Sequence, residues 1–208
     1  MILLRTVCVS LRFVIKRDRQ LEQKIFEAVK SRDATAAISL VGGSNHQATY
    51  RGMPLVGPST EMICWAFTDI PKLLRHFPDY VMPDIRTAAA MFFLVGGIRD
   101  WLPRGELTAR GFDLEYGVRA LATYIQCRRS IETWKGVVGE IEISNSADPP
   151  CPQCKELGGK RWPFGEQPEI PYEHCTGPKG CHCAYVAYTV KRDIGTNVTR
   201  ALRFRTRH

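Results

Sequence analysis

Five of the chain's eight cysteines fall between Cys151 and Cys183, within a sequence of 208 residues. No other feature narrows the possible folds as much. Thiolates at short spacing hold a metal ion, and binding such an ion can fold a segment whose own apolar residues are too few. Cys151-Pro152-Gln153-Cys154 is a C-x2-C knuckle, a spacing that lets two sulfurs converge on one ion while amides of the tight turn support them. The remaining donors are Cys175, Cys181 and Cys183, about twenty to thirty residues further on, where Gly177, Pro178 and Gly180 make a second tight turn.

Five cysteines exceed the four positions of a tetrahedral site. In an extended Cys181-His182-Cys183 segment the two cysteines share a face and His182 points away. The preferred ligand set is therefore Cys151, Cys154, Cys175 and Cys183, with Cys181 a substitute for either of the last two. His174 and His182 read as surface residues. Four thiolates leave no open position for a reacting water, so the expected cofactor is a structural Zn2+ rather than a catalytic one. A redox C-P-x-C site is the rival. It needs a helix directly after the motif, and Gly158-Gly159 leaves little room for one.

The other three cysteines, Cys8, Cys64 and Cys127, sit in apolar surroundings and read as buried small hydrophobes. Clustering of this kind fits metal binding in a reducing compartment better than a secreted disulfide framework. A cytoplasmic location is the expectation. The longest apolar run, Ala88–Val95, is far shorter than the roughly 20 residues that cross a bilayer, and Arg5 and Arg12 interrupt the apolar N-terminus, so neither a membrane span nor a secretory signal is expected.

An apolar fraction of 44% and a charged fraction of 24% are those of a globular chain. The net charge of +8 is concentrated at the ends, with five Lys and Arg against one Asp in residues 1–20 and six against one in 191–208. Arg200, Arg203, Arg205 and Arg207 are the candidate nucleic-acid-binding residues; Arg203 and Arg205 share the face of a strand opposite Leu202 and Phe204. A solvated basic face is the bland alternative.

Hydrophobic spacing organises the rest. Leu21, Ile25, Ala28 and Val29 line one face of a helix within 17–32, and glycines and prolines over 41–58 mark a loop or short hairpin. Ser59 caps a helix carrying Met62, Ile63, Ala66 and Phe67, which Pro71 kinks or restarts before Leu73 and Phe77. Asp84 is expected to cap a helix from Ile85 to about Trp101 that is apolar on nearly all sides and so central to the core. A further helix runs from Asp113 to about Lys135, with Arg128 and Arg129 away from its apolar stripe. The period then changes to two at Glu140–Ile143, Tyr185–Val190 and Leu202–Arg205, placing Val186, Tyr188 and Val190 on one face. The expected fold is α+β: a mainly helical body over 1–137 and a small zinc-stapled β module with a basic tail over 138–208.

Other candidate chemistry is sparse. Glu140 and Glu142 form a Glu-x-Glu pair, read here as the outer face of an edge strand rather than as catalytic acids. His46 and His76 lack spaced partners for a triad, and no catalytic residue is assigned. Trp162, beside Lys160 and Arg161, is the one aromatic placed to stack on a base.

The run Cys151-Pro-Gln-Cys154-Lys-Glu-Leu-Gly-Gly159-Lys160-Arg-Trp-Pro163, then Pro168-Glu-Ile-Pro171 and Cys181-His-Cys183, resembles the C-terminal segment of phage minor head (head morphogenesis) proteins. That family has C-P-x-C, a Leu and Gly-Lys, an aromatic and Pro, an acidic-Pro stretch, then His-Pro-x-C-x-C. Here Cys175-Thr-Gly-Pro-Lys-Gly180 stands in place of the His-Pro, which implies that Cys175 takes the histidine's ligand role in a longer loop. The resemblance spans residues 151–183 and implies a compact zinc module. The expected function is a zinc-binding, non-enzymatic binding or assembly protein, head morphogenesis-like or nucleic-acid binding. The alternative is an enzyme with a site in the helical body that the sequence does not reveal.

Overall fold

The computed structural model describes residues 18–42, 49–50, 53–54, 58–103, 113–145, 150–177, 181 and 183–188. The basic ends, including Arg200, Arg203, Arg205 and Arg207, lie outside the described residues, as do Cys8, His46, His182 and the Leu202–Arg205 strand. Among the described residues the architecture is α+β: five α-helices precede a small three-stranded antiparallel sheet toward the C-terminus, and a sixth lies between two of its strands.

Helix α1 (Arg19–Lys30) starts where the Asp18 carboxylate accepts hydrogen bonds from the backbone amides of Gln20 and Leu21, and it buries Ile25 and Val29 as its spacing predicts. Helix α2 (Ala34–Gly42) is an addition: its Ala-rich sequence carries too weak a stripe to be separated from its neighbours by periodicity. The expected hairpin is present as β1 (Thr49–Tyr50) against β2 (Met53–Pro54). Helix α3 (Thr60–Thr68) is capped by Ser59, and Pro71 leads into a 3-10 turn at Lys72–Leu74.

Helix α4 (Met82–Val95) is the central one. It packs against α1, α2, α3 and α5 (Leu114–Trp134), and Ile85, Ala88, Ala89, Ala90 and Met91 are fully buried. Two boundaries differ from expectation. Pro83 lies inside the first turn, where its missing amide costs nothing, so Val81 is the N-cap and Asp84 is a first-turn residue near the positive helix end rather than the cap. At the other end Gly96 and Gly97 take φ of 75° and 69°, a backbone that stops the helix before a separate 3-10 turn at Ile98–Trp101.

Asp113 caps α5, accepting from the Tyr116 amide at 2.9 Å. Close approach of α4 and α5 depends on Gly117, where an added Cβ would lie 2.7 Å from Ile85 Cδ1 and 3.3 Å from Phe77 Cε1. Arg128 leaves the apolar stripe, as expected, and clasps α3 by pairing with Asp69 and lying 4.4 Å from the Trp65 ring centre.

The sheet has the order β4-β3-β5, formed by β3 (Glu140–Asn145), β4 (Arg161–Pro163) and β5 (Cys183–Tyr188). A six-residue helix, α6 (Pro152–Leu157), lies between β3 and β4 in the chain. One strand expectation is corrected. Strand β3 is central, not an edge, because both β4 and β5 pair with it. Strand β5 faces the core through Cys183, Tyr185 and Ala187, the opposite parity to Val186, since the register sets Tyr185 beside Ile143 and Ala187 beside Ile141, both fully buried. Buried residues of the sheet and of the helices belong to one core. Among the described residues no helix is long and apolar enough to cross a membrane.

Candidate metal centre

Three separate segments bring the cysteines together. Cys151 is the N-cap of α6, and its sulfur accepts from the Cys154 amide at 3.4 Å, so the first turn of α6 folds both sulfurs toward one point. Cys175 follows a turn in which its amide donates to the Tyr172 carbonyl at 3.1 Å. Cys181 precedes β5, and Cys183 begins it on the core-facing side. The sulfurs of Cys151, Cys154 and Cys175 lie within 4.8 Å of one another, and so do those of Cys154, Cys181 and Cys183. Cys154 belongs to both groups.

This donor set can hold a metal ion. The sulfurs of Cys151 and Cys175 are 3.9 Å apart, which matches the edge of about 3.8 Å that a tetrahedron of metal–sulfur bonds near 2.3 Å requires. All five cysteines are free thiols and between 2% and 7% exposed. Cys181 is thus inside the cluster on equal terms with the four preferred ligands. His174 is exposed on the adjacent turn and belongs to neither group of sulfurs.

Crowding tunes the thiols. Burial acts to raise Cys151, but contacts from the Cys154 side chain and amide outweigh it, leaving the Cys151 thiol below its ordinary value. Cys175 is pushed up to about 11, first by its contact with Cys154. Cys183 is raised for the same first reason, with burial adding to it. Thiolates packed this closely repel one another, and a bound cation would neutralise them.

Helix α5 braces the centre. The Tyr116 hydroxyl donates to the carbonyl of Cys175 at 2.6 Å and the Thr123 hydroxyl to the carbonyl of Cys181 at 3.3 Å, seven residues apart on one helix face. A third link joins the Lys72 amide to Glu169 at 2.8 Å. Gly159, at φ 77°, ends the α6 turn and donates to the Ile143 carbonyl at 2.8 Å, fixing the knuckle to β3. Sequence reading missed Tyr116 and Thr123. Only their spacing on a helix hinted that they share a face, and nothing local names the loop they meet.

A short helix does begin within the C-P-Q-C motif, despite Gly158-Gly159, so the stated objection to a redox site fails; what stands against a two-cysteine redox reading is the convergence of five buried sulfurs. Glu140 and Glu142 are matched by Arg161, whose Nε lies 3.3 Å from Glu142 and whose guanidinium lies 3.8 Å from the Tyr188 ring centre. They form a charge cluster on the outer sheet face. Trp162 is half-buried and packs on the core. Cys127 is buried as expected, whereas Cys64 is exposed because it falls on the solvent side of α3. His76 is exposed on the rim of a cleft of about 870 Å3 beside Cys175, with Lys72, Asp113, Glu173 and His174 on the same rim.

No protein-family model, curated protein or solved structure matches this chain.

Proposed function

We propose that this chain is a zinc-stapled, non-enzymatic assembly protein of the head morphogenesis kind, in which the ion fixes the loop-rich C-terminal module against the helical body. The observation that supports this most directly is the convergence of five buried cysteine sulfurs from three chain segments, all within reach of Cys154 or its immediate partners. An all-thiolate donor set selects soft or borderline ions, and a closed tetrahedron of thiolates is the structural form of zinc. The resemblance of residues 151–183 to phage minor head proteins supplies the assembly context. Zinc then acts as a staple: it neutralises clustered thiolates and ties Cys175, Cys181 and Cys183 to the Cys151–Cys154 knuckle.

The testing experiment is elemental analysis of the purified full chain, followed by sedimentation with and without a chelator. One zinc per chain and a change in association on its removal are expected. A metal-free protein of equal stability and equal association overturns the reading.

A second reading, contact with nucleic acid, is favoured by the basic ends of a chain of net charge +8. Phosphate contacts by Arg200, Arg203, Arg205 and Arg207 release counterions, so affinity for mixed-sequence DNA or RNA should fall steeply as salt rises and flatten when these residues are replaced. Absence of binding at low salt removes nucleic acid and leaves protein assembly.

A further inference from the structure

A single zinc leaves one sulfur without a use. A tetrahedral ion takes four donors, yet five cysteines are buried in this centre, each between 2% and 7% exposed. Their grouping shows how all five can serve. The sulfurs of Cys151, Cys154 and Cys175 lie within 4.8 Å of one another, as do those of Cys154, Cys181 and Cys183, so the centre contains two triangles joined at the Cys154 corner.

Two triangles with a shared corner fit a binuclear centre in which one thiolate bridges two ions. Zinc does not suit it, because each ion would hold three sulfurs and need a fourth donor that neither triangle supplies. Cu(I) does. It is soft, thiolates select it, and its filled d shell and single charge leave it satisfied by three sulfurs in a plane. The dimensions agree: with bonds of zinc–sulfur length, roughly 2.3 Å, an equilateral triangle of sulfurs around an ion has an edge of about 4.0 Å, and Cys151 and Cys175 are 3.9 Å apart. Bridging limits the charge, since two ions share five thiolates instead of holding six, and the Cys154 amide, 3.4 Å from the Cys151 sulfur, offsets part of it. One side of the centre offers access. Cys175 lines the cleft that carries His76 and His174 on its rim, and imidazole is itself a copper ligand able to hand the ion on.

We infer that the cysteine centre is a two-ion site for Cu(I), with Cys151 and Cys175 completing one trigonal ion, Cys181 and Cys183 the other, and the Cys154 thiolate bridging them. This rests on the metal-binding part of the reading above and names a second class of ion for the same donors. Zinc and Cu(I) are alternative occupants: one zinc on four sulfurs, or two Cu(I) on five. Exchange needs no change in oxidation state. Two Cu(I) enter, one zinc leaves, and the fifth thiol gives up its proton to water.

The test titrates the reduced full chain, without oxygen, with Cu(I) supplied as its bicinchoninate complex and, in parallel, with zinc. Native mass spectrometry should show two copper ions per chain. X-ray absorption at the copper edge should show three sulfurs per copper and a second copper at the short distance that a bridging thiolate imposes. The Cys154→Ser variant should lose that copper–copper signal and fall below three sulfurs per copper. Wild-type protein that stops at one copper, or holds two without the copper–copper signal, overturns the inference, and the zinc reading stands if the same protein takes one zinc. Two bridged coppers with no uptake of zinc overturn the zinc reading and support this inference. Uptake of neither metal overturns both. An unchanged copper–copper signal in Cys154→Ser overturns the assignment of Cys154 as the bridge. Should that variant not fold, the copper count and the copper–copper signal of the wild type decide alone.

Discussion

The Tyr116 hydroxyl and the carbonyl oxygen of Cys175 lie 2.6 Å apart, joining the first turns of the longest helix to a residue of the cysteine centre. Tyr116 is held in place from its other end, since its amide donates to the Asp113 cap. Helix initiation, the Cys175 turn and the sulfur cluster are thereby mechanically continuous. Replacing Tyr116 with Phe removes the donor and leaves a part-buried carbonyl unmatched, a loss of about 1–3 kcal/mol. On the proposed zinc reading, thermal denaturation of the metal-loaded protein should show the lower midpoint, and chelator-driven metal release should be faster. Equal release rates would mean that α5 does not brace the centre.

Cys154 is shared by both groups of sulfurs, whereas Cys181 is one of five donors for four positions. If the proposed zinc centre is right, Cys154→Ser should therefore abolish metal binding, while Cys181→Ser should retain one ion per chain with reduced affinity. Elemental analysis of the two variants checks this. Equal retention by both would mean that the donors are interchangeable and that Cys154 has no special place.

Stability should depend on pH with opposite sign in the two metal states. In the metal-free chain Cys175 is raised from about 9 to about 11, so the folded state holds this proton more tightly than the unfolded state does. Its contribution is complete below about pH 9 and disappears as the pH climbs through about 11. The metal-loaded chain needs thiolates, so it loses its ion as the pH falls, when protons compete for sulfur. Denaturation of both forms across this range measures the crossing.

An added Cβ at Gly117 would meet Ile85 Cδ1 at 2.7 Å and Phe77 Cε1 at 3.3 Å, so both side chains would have to shift within the core. Gly117→Ala gains about 1 kcal/mol of helix propensity but crowds a fully buried isoleucine, and overpacking of this sort costs about 1–3 kcal/mol. The single variant should be less stable than the wild type. Adding Ile85→Val removes the offending methyl, so the double variant should be more stable than the sum of the two single effects predicts. Strict additivity, measured by chemical denaturation, would place the strain elsewhere.

Much of this fold is written locally. Ser59 and Asp113 mark helix starts because their side-chain oxygens satisfy amides only three residues away; the expected helix to Trp101 passes over the stop at Gly96-Gly97, although glycine alone adopts that backbone freely. The alternation of Ile141 and Ile143 announces a strand for the same reason: it depends on neighbours in the chain. The cysteine donors were legible too, through the knuckle spacing at Cys151 and Cys154. What the tertiary structure alone decided are relations between distant segments. A strand of period two has two equivalent faces, and the choice of Cys183, Tyr185 and Ala187 over Val186 follows from pairing with β3 and packing on α5. The central place of β3 and the entry of Cys181 into the cluster follow likewise, because a side chain's partners are set by whatever packing brings within reach of it.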